Sequence, residues 1–273
     1  MADITARTFP NSRPTSGREW GRAEWIAHEQ KRADLFNRAE GHLPGYDCPK
    51  CRNRGSYATV DENGSLHHRQ CSCMSIREAQ DAMKRSGLPE TVLQDCTFDR
   101  WQTPENWQAT ALQKAKEYYY QALSDPGFPA WFVMSGRPGS GKTRLCSTLF
   151  RAMVEKGKRG RYLSWRDFAR QAKSTANDGE RFAALTAQAK KPPLVYIDDF
   201  WKGQITPADV HLAFEIINDR YASGKLTILS SELTLEAILR GDEAIGSRLY
   251  ERSKGYYVDC SRAKNWRTGG NAS

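Results

Sequence analysis

Long hydrophobic runs are missing from this 273-residue chain. No stretch of about 18 apolar residues occurs, so no helix spanning a membrane is expected. The first twenty residues, Met1–Trp20, are polar and lack the apolar core of a secretory signal. These absences place the chain in a cytoplasm. There is no internal repeat, which gives no basis for a solenoid, and no extended low-complexity segment. Acidic residues are in deficit, 32 against 41 lysines and arginines. A basic balance of that kind favours a polyanionic partner such as nucleic acid, although a solvated basic surface gives the same count. After Asp259 only 14 residues follow. A helical lid domain needs several times that number, so little or no lid is expected, and a pocket without a lid is completed by a neighbouring subunit.

What is present is ample core material. Hydrophobic residues make up 39% and charged residues 27%, with eight tryptophans. Residues 1 to about 17 are rich in Pro, Ser, Thr, Arg and Gly and read as a flexible tail. Residues 18–40 read as a helix with Trp25, His28, Arg32, Leu35 and Phe36 on a partly apolar face. Helices are also predicted over 74–86, ended by Gly87 and Pro89, and over about 104–123, stopped by Asp125-Pro126-Gly127. From Ala130 the rhythm changes. Apolar runs at 131–134, 161–164, 194–197, 226–230 and 256–259 alternate with helical segments at 142–156, 166–190 (two helices), 207–222 and 235–251, the last broken near Gly241. That alternation predicts an α/β domain, a five-stranded parallel sheet with helices on both faces.

Gly136-Arg137-Pro138-Gly139-Ser140-Gly141-Lys142-Thr143 matches the phosphate-binding pattern G-x-x-x-x-G-K-[ST]. Glycines let backbone N–H groups wrap phosphate oxygens without Cβ clashes. Lys142 supplies a point charge for the β and γ phosphates of ATP, and Thr143 offers a hydroxyl to Mg²⁺. Arg144 follows in the first turn of a helix whose N-terminal dipole faces the anion. The run Leu194-Val195-Tyr196-Ile197-Asp198-Asp199 is an apolar strand ending in two carboxylates. In a nucleotide hydrolase, Asp198 would hold the Mg²⁺ shell and Asp199 would polarise the attacking water. Without the loop, the same pair would only cap a strand.

Four of seven cysteines lie close together, at Cys48, Cys51, Cys71 and Cys73, whereas Cys96, Cys146 and Cys260 are scattered. Asp61-Glu62-Asn63-Gly64 predicts a tight turn between strands at 56–60 and 65–70. Such a hairpin brings the two pairs together around a tetrahedral Zn²⁺. A C-x-C pair is less usual than C-x-x-C, so His67 or His68 is an alternative fourth ligand. A pair of redox thiols is the competing assignment, which a reducing compartment disfavours.

Together, the cysteine module, SGLPETVLQDCTFDRW, the phosphate loop, LVYIDDF, TILSSEL, GSRLYERS and KNWR resemble the AAA+ ATPases of the DnaC/DnaI helicase-loader type, within the IstB/DnaC-like family. The resemblance covers residues 45–267. It implies an AAA+ P-loop domain at 91–273, preceded by a small zinc-ribbon-like module with its helix at 41–90 and by a tail and helix at 1–40, a candidate helicase-binding segment. It also assigns roles. TILSSEL resembles the sensor strand, whose polar end contacts the γ-phosphate or water. The family usually has Asn where Glu232 stands, and Ser230 or Ser231 is the alternative hydroxyl. GSRLYERS resembles the arginine-finger segment, with Arg252 and Arg248 as candidates. KNWR makes Arg267 a candidate second sensor. The implied partners are a replicative hexameric helicase, single-stranded DNA and further copies of the chain on that helicase, in a bacterium or for a phage in its host. Trp20, Trp25, Leu35 and Phe36 form either the helicase-binding face or a face packed on the zinc module. Arg166, Arg170 and Lys173, spaced on one helical face, are candidate DNA contacts. Three competing functions are an IstB-like transposition helper acting on double-stranded DNA with a transposase, an ATP-binding adaptor with little turnover, and a P-loop kinase. The last leaves GSRLYERS and KNWR without a role.

Overall fold

The computed structural model describes residues 20–85 and 96–268. The polar tail, Gly87, Pro89 and most of the SGLPETVLQDCTFDRW connector lie outside these residues. Two compact units divide after Cys71.

In the first unit, helix α1 (Arg22–Arg38) lies on an antiparallel hairpin of β1 (Ser56–Val60) and β2 (Leu66–Gln70), paired from Ser56–Gln70 to Val60–Leu66. The turn closes through Gly64, whose φ of 81° suits glycine, and which donates to the Asp61 carbonyl at 3.0 Å. A Cβ there would meet the Trp25 ring at 2.6 Å. Trp25 donates its indole N–H to the Gly64 carbonyl, and the Asn37 amide bonds both backbone groups of Ala58. Phe36 sits between the Arg54 guanidinium and the His68 ring. The inward stripe is therefore Trp25, Glu29, Ala33 and Phe36–Asn37, at helical spacing. This corrects the grouping of Leu35 with Trp25 and Phe36. Two residues beyond Ala33, Leu35 is on the opposite side, and it is 74% exposed.

The second unit opens with α2 (Cys73–Arg85) and contains the five-stranded sheet. Its strands are β3 (Trp131–Gly136), β4 (Gly160–Ser164), β5 (Leu194–Phe200), β6 (Leu226–Ser231) and β7 (Tyr257–Cys260), in the order β4-β5-β6-β3-β7, all parallel. All six residues of β3 and of β6 are buried, as expected for strands covered on both faces. The helices are α3 (Asn106–Ser124), α4 (Lys142–Glu155), α5 (Trp165–Ser174), α6 (Gly179–Lys190), α7 (Pro207–Ala222), α8 (Leu235–Gly241) and α9 (Glu243–Arg252). Trp131, Val133, Val195, Ile197 and Leu229 join one core cluster with residues of α5, α7, α8 and α9, including Phe168, Ile216, Ile238 and Leu249. The break near Gly241 has a local cause: Asp242 ends α8 in extended backbone and caps α9, accepting from the Ile245 N–H at 2.8 Å.

Two features of the sheet position the site. First, β6 lies between β3 and β5, so the loop after β3 and the carboxylates after β5 share the C-terminal edge, where open α/β sheets bind ligands. Second, β5 does not run straight off the sheet. Its register with β6 shifts between Ile197 and Phe200, and Asp199 and Trp201 hold left-handed φ values of 54° and 56°. Non-glycine residues adopt that conformation at a cost, and it is found at functional sites.

Arg220 on α7 is fully buried and ties the opposite edge. It donates to the carbonyls of Ala189, Pro192 and Leu226 and to the Thr227 hydroxyl. Arg220→Ala leaves these acceptors buried and unpaired and opens a cavity. The expected loss is about 3 kcal/mol or more, read as a lowered urea midpoint at unchanged slope. A loss below about 1 kcal/mol would show that the carbonyls find other donors.

Candidate nucleotide-binding site

The phosphate loop connects β3 to α4. Gly136, Gly139 and Gly141 have φ values of 119°, 76° and 92°. Each is also crowded. A Cβ would meet the Cys260 backbone at 2.4 Å, the Asn265 side chain at 1.9 Å and the Trp101 ring at 2.9 Å, respectively. Glycine is thus required here by space as well as by φ. Lys142 is 6% exposed and turns its ammonium back onto the loop, donating to the carbonyls of Gly136 and Arg137 at 2.7 Å each. Burial holds its pKa below the usual lysine value, against the opposing pull of Cys260, Glu232 and Asp199. A phosphate anion would relieve that penalty. The glycine cradle, the buried ammonium and the N-terminus of α4 fit a nucleotide's phosphates.

Asp198, 5% exposed, accepts four hydroxyls. Thr143 reaches Oδ1 at 3.1 Å and Tyr196 reaches it at 2.6 Å; Ser230 also donates to Oδ1, and Tyr162 donates to Oδ2 at 3.0 Å. Burial, reinforced by the Asp198 charge, raises the pKa of both tyrosines, which keeps them protonated as donors. The Thr143 hydroxyl beside the Asp198 carboxylate is an oxygen pair of the kind that serves Mg²⁺.

Asp199 is held differently. Its backbone N–H donates to Ser230 Oγ at 3.1 Å, and its carboxylate pairs with Lys202 Nζ at 3.0 Å. Lys202 also pairs with Glu232 Oε1 at 2.9 Å. Burial works to lower the Lys202 pKa, but the bonds from Glu232 and Asp199 prevail and raise it. Lys202 did not stand out in the sequence; its only signal is a lysine three residues after Asp199. Glu232, the departure from the family's usual Asn, has a charge partner in it.

Gly139, Gly141, Lys142, Thr143, Asp199, Lys202 and Glu232 line a cavity of about 450 Å³ together with Pro138, Arg144, Trp266 and Arg267. Arg267 therefore reaches the nucleotide cavity. Its segment is anchored by the Trp266 N–H, which donates to the Gly139 carbonyl at 3.1 Å. Cys96 also lines the cavity and Trp101 covers Gly141, two contributions of the connector that sequence inspection missed. The other predicted residues lie elsewhere. Arg137 is exposed and contributes backbone groups. Ser140 donates to the Arg137 carbonyl. Ser231 turns its hydroxyl to the Phe200 carbonyl, so Ser230 is the serine that touches the aspartates. Arg248 and Arg252 lie on α9 against Tyr221, bonded to the carbonyls of Ala244 and Tyr221, and do not line this cavity. On α5, Arg170 pairs with Asp167 and Lys173 with Asp209; Arg166, Arg170 and Lys173 line a second cavity.

The sulfurs of Cys48, Cys51, Cys71 and Cys73 all lie within 4.8 Å of one another, and all four residues are buried. Cys48 and Cys71 are 3.7 Å apart, close to the edge of about 3.8 Å in a tetrahedron with zinc–sulfur arms of about 2.3 Å. The Gly55 N–H points at Cys51 Sγ at 3.4 Å, as backbone amides do toward metal-bound thiolates. The residues fit zinc. His67 pairs with Asp61 and His68 packs on Phe36, and neither belongs to the cluster.

Lys142→Ala should weaken binding of a fluorescent ATP analogue at least about a hundredfold, since a charge-assisted phosphate contact is lost. Retained tight binding would overturn the assignment of the loop.

Comparison with known proteins agrees with this geometry. Residues 128–254 match the family described as IstB-like ATP binding protein. The chain is 31% identical over 231 residues to the phage-like element PBSX protein XkdC of Bacillus subtilis, covering 81% of this chain and 84% of that protein. It is 24% identical over 227 residues to the replicative helicase loader DnaC of Escherichia coli K12, covering 81% and 89%. A crystal structure of DnaI, 16% identical, has the same fold, with a TM-score of 0.53 over 63% of this chain and 94% of that one. No helix among the described residues is long and apolar enough to cross a membrane. The chain belongs to the IstB/DnaC-like family of ATP-binding proteins, with an AAA+ P-loop fold.

Proposed function

We propose that this protein is an ATPase that loads a ring-shaped replicative helicase onto single-stranded DNA, acting in the cytoplasm of a bacterium or, for a phage, of its host. The observation that carries the proposal is the extent of the similarity. The match to the E. coli helicase loader runs over 227 residues, well beyond the ATP-binding segment 128–254. A shared nucleotide fold alone would not require that.

Lys142 would hold the β and γ phosphates, and Thr143 and Asp198 would hold Mg²⁺. The bound metal would neutralise charge on the departing phosphates. Asp199 would accept a hydrogen bond from the attacking water as the β–γ bond breaks. Arg267, at the wall of the cavity, would sense the nucleotide from the same chain. Arg252 or Arg248, which do not line their own cavity, would serve a neighbouring copy on the helicase. Arg166, Arg170 and Lys173 would contact single-stranded phosphates. The four cysteines would fold around Zn²⁺, and α1, with Leu35 exposed, would contribute to the helicase-binding segment. A second function is a transposition helper of the IstB kind acting on double-stranded DNA, kept because the matched family is described as IstB-like ATP binding protein.

Co-purification with the host's replicative helicase, with and without ATP, separates the two. The loader should be retained and should promote helicase entry onto circular single strands, and Lys142→Ala should abolish entry. Failure to associate, combined with a preference for duplex DNA, would favour the transposition helper. Metal analysis of the purified chain should find about one zinc, falling below about 0.1 in Cys71→Ser/Cys73→Ser. A value near zero in the unaltered protein would refute the zinc assignment.

A further inference from the structure

The nucleotide cavity has a neighbour. The second cavity, of about 630 Å³, is walled by Arg166, Arg170 and Lys173 of α5 and by Gln204 and Ile205 beyond β5. Two side chains, Lys202 and Glu232, line both cavities. They are also joined to each other and to Asp199. The Lys202 ammonium lies 3.0 Å from the Asp199 carboxylate and 2.9 Å from that of Glu232. Thus one cation holds the carboxylate placed to polarise water, and the same cation faces a chamber lined by three further cations.

Three properties make this contact movable. Lys202 has the longest and most flexible stem of the trio, and 38% of its side chain is exposed. Its attachment is a turn, in which its N–H donates to the Asp199 carbonyl at 3.1 Å and the flanking Asp199 and Trp201 are in left-handed backbone. Asp199 by contrast is anchored from the sheet, through its N–H to Ser230. If the contact opens, the lysine moves and the aspartate stays. The second cavity carries Asp209 and Glu232 besides its cations, and Lys173 is already paired with Asp209. An incoming phosphate therefore finds Arg166, Arg170 and Lys202 at its walls, and competes with Asp167 for Arg170 and with Asp199 and Glu232 for Lys202.

We propose that Lys202 is a latch between the two cavities: it restrains Asp199 beside Glu232 until a nucleic-acid phosphate in the second cavity draws its ammonium away. This rests on the assignment of the α5 face to single-stranded DNA. Lys202 is then a positioning residue, acting on hydrolysis through Asp199. It makes ATP turnover depend on the strand and, reciprocally, makes strand binding depend on how firmly Lys202 is held.

The test uses the full chain and a poly-dT oligonucleotide. ATP turnover is measured with and without it, and oligonucleotide affinity is measured without nucleotide. The unaltered protein should be stimulated about fivefold or more. Lys202→Met should raise the unstimulated kcat to near that level, respond no further, and keep the KM for ATP within about twofold, because uniform binding is untouched. Glu232→Gln removes one of the two carboxylates holding Lys202. It should tighten oligonucleotide binding roughly two- to fivefold, the weight of one exposed ion pair. That readout needs no hydrolysis and stands even if the methionine variant misfolds. Stimulation of unaltered size in Lys202→Met, or unchanged affinity in Glu232→Gln, overturns the latch while leaving the DNA assignment intact. An unaltered protein that binds no oligonucleotide overturns both.

Discussion

The carboxylate of Asp198 is the point on which the ATP-binding unit converges. Thr143 comes to it from the first turn of α4, Tyr162 from β4, Tyr196 from β5 itself and Ser230 from β6. A buried carboxylate is costly unless its oxygens are satisfied, and here neutral donors from three strands and a helix do so. The consequence is geometric. The phosphate loop, the middle of the sheet and the end of β6 are registered against one atom pair, with no lysine or arginine consumed. The cations of the site remain for ligands: Lys142 on the loop and Arg267 at the rim.

Asp199, one residue later, is treated in the opposite way. The backbone turns left-handed, the register with β6 shifts, and the carboxylate leaves the sheet for a half-exposed ion pair. Adjacent residues of one strand thus carry a buried, fully satisfied acceptor and a half-exposed, ion-paired one. The difference matches the roles proposed for them, since a group that would hold a metal must be fixed before its ligand arrives, whereas one that would activate water gains from being restrained until the site is complete.

Net charge was a weak guide to where DNA would bind. The chain carries a formal +9, yet on α5 two of the three candidate contacts already pair with carboxylates of their own chain, Arg170 with Asp167 and Lys173 with Asp209. The Arg170–Asp167 pair is exposed and exchanges readily in solution, whereas Asp209 is buried and holds Lys173 from the protein side. An anion must compete for both residues. Which basic residues can bind depends on their neighbours in space, and the count of lysines and arginines does not contain that.

Much of the architecture was legible beforehand. Apolar runs and helical periodicity placed all five parallel strands and the helices between them, because the central strands β3, β5 and β6 are buried almost throughout and the helices pack an apolar side against them. The loop glycines, Lys142, Thr143 and the aspartate pair were legible because phosphate and metal chemistry demand those residue types at short, fixed spacing. The cysteine hairpin was legible for the same reason, and its four sulfurs do come together. What sequence could not supply were contacts between distant segments. The order β4-β5-β6-β3-β7 puts Ser230 beside two aspartates some thirty residues earlier. The closing segment brings Asn265 and Trp266 over Gly139, and Trp101 reaches across to Gly141. Lys202 gained its meaning only when the kink after β5 set it between Asp199 and Glu232. Local chemistry is written in neighbouring letters, since a phosphate loop is made by consecutive residues. Which charge restrains which is decided by the packing of strands remote in sequence, and that is a property of the folded sheet alone.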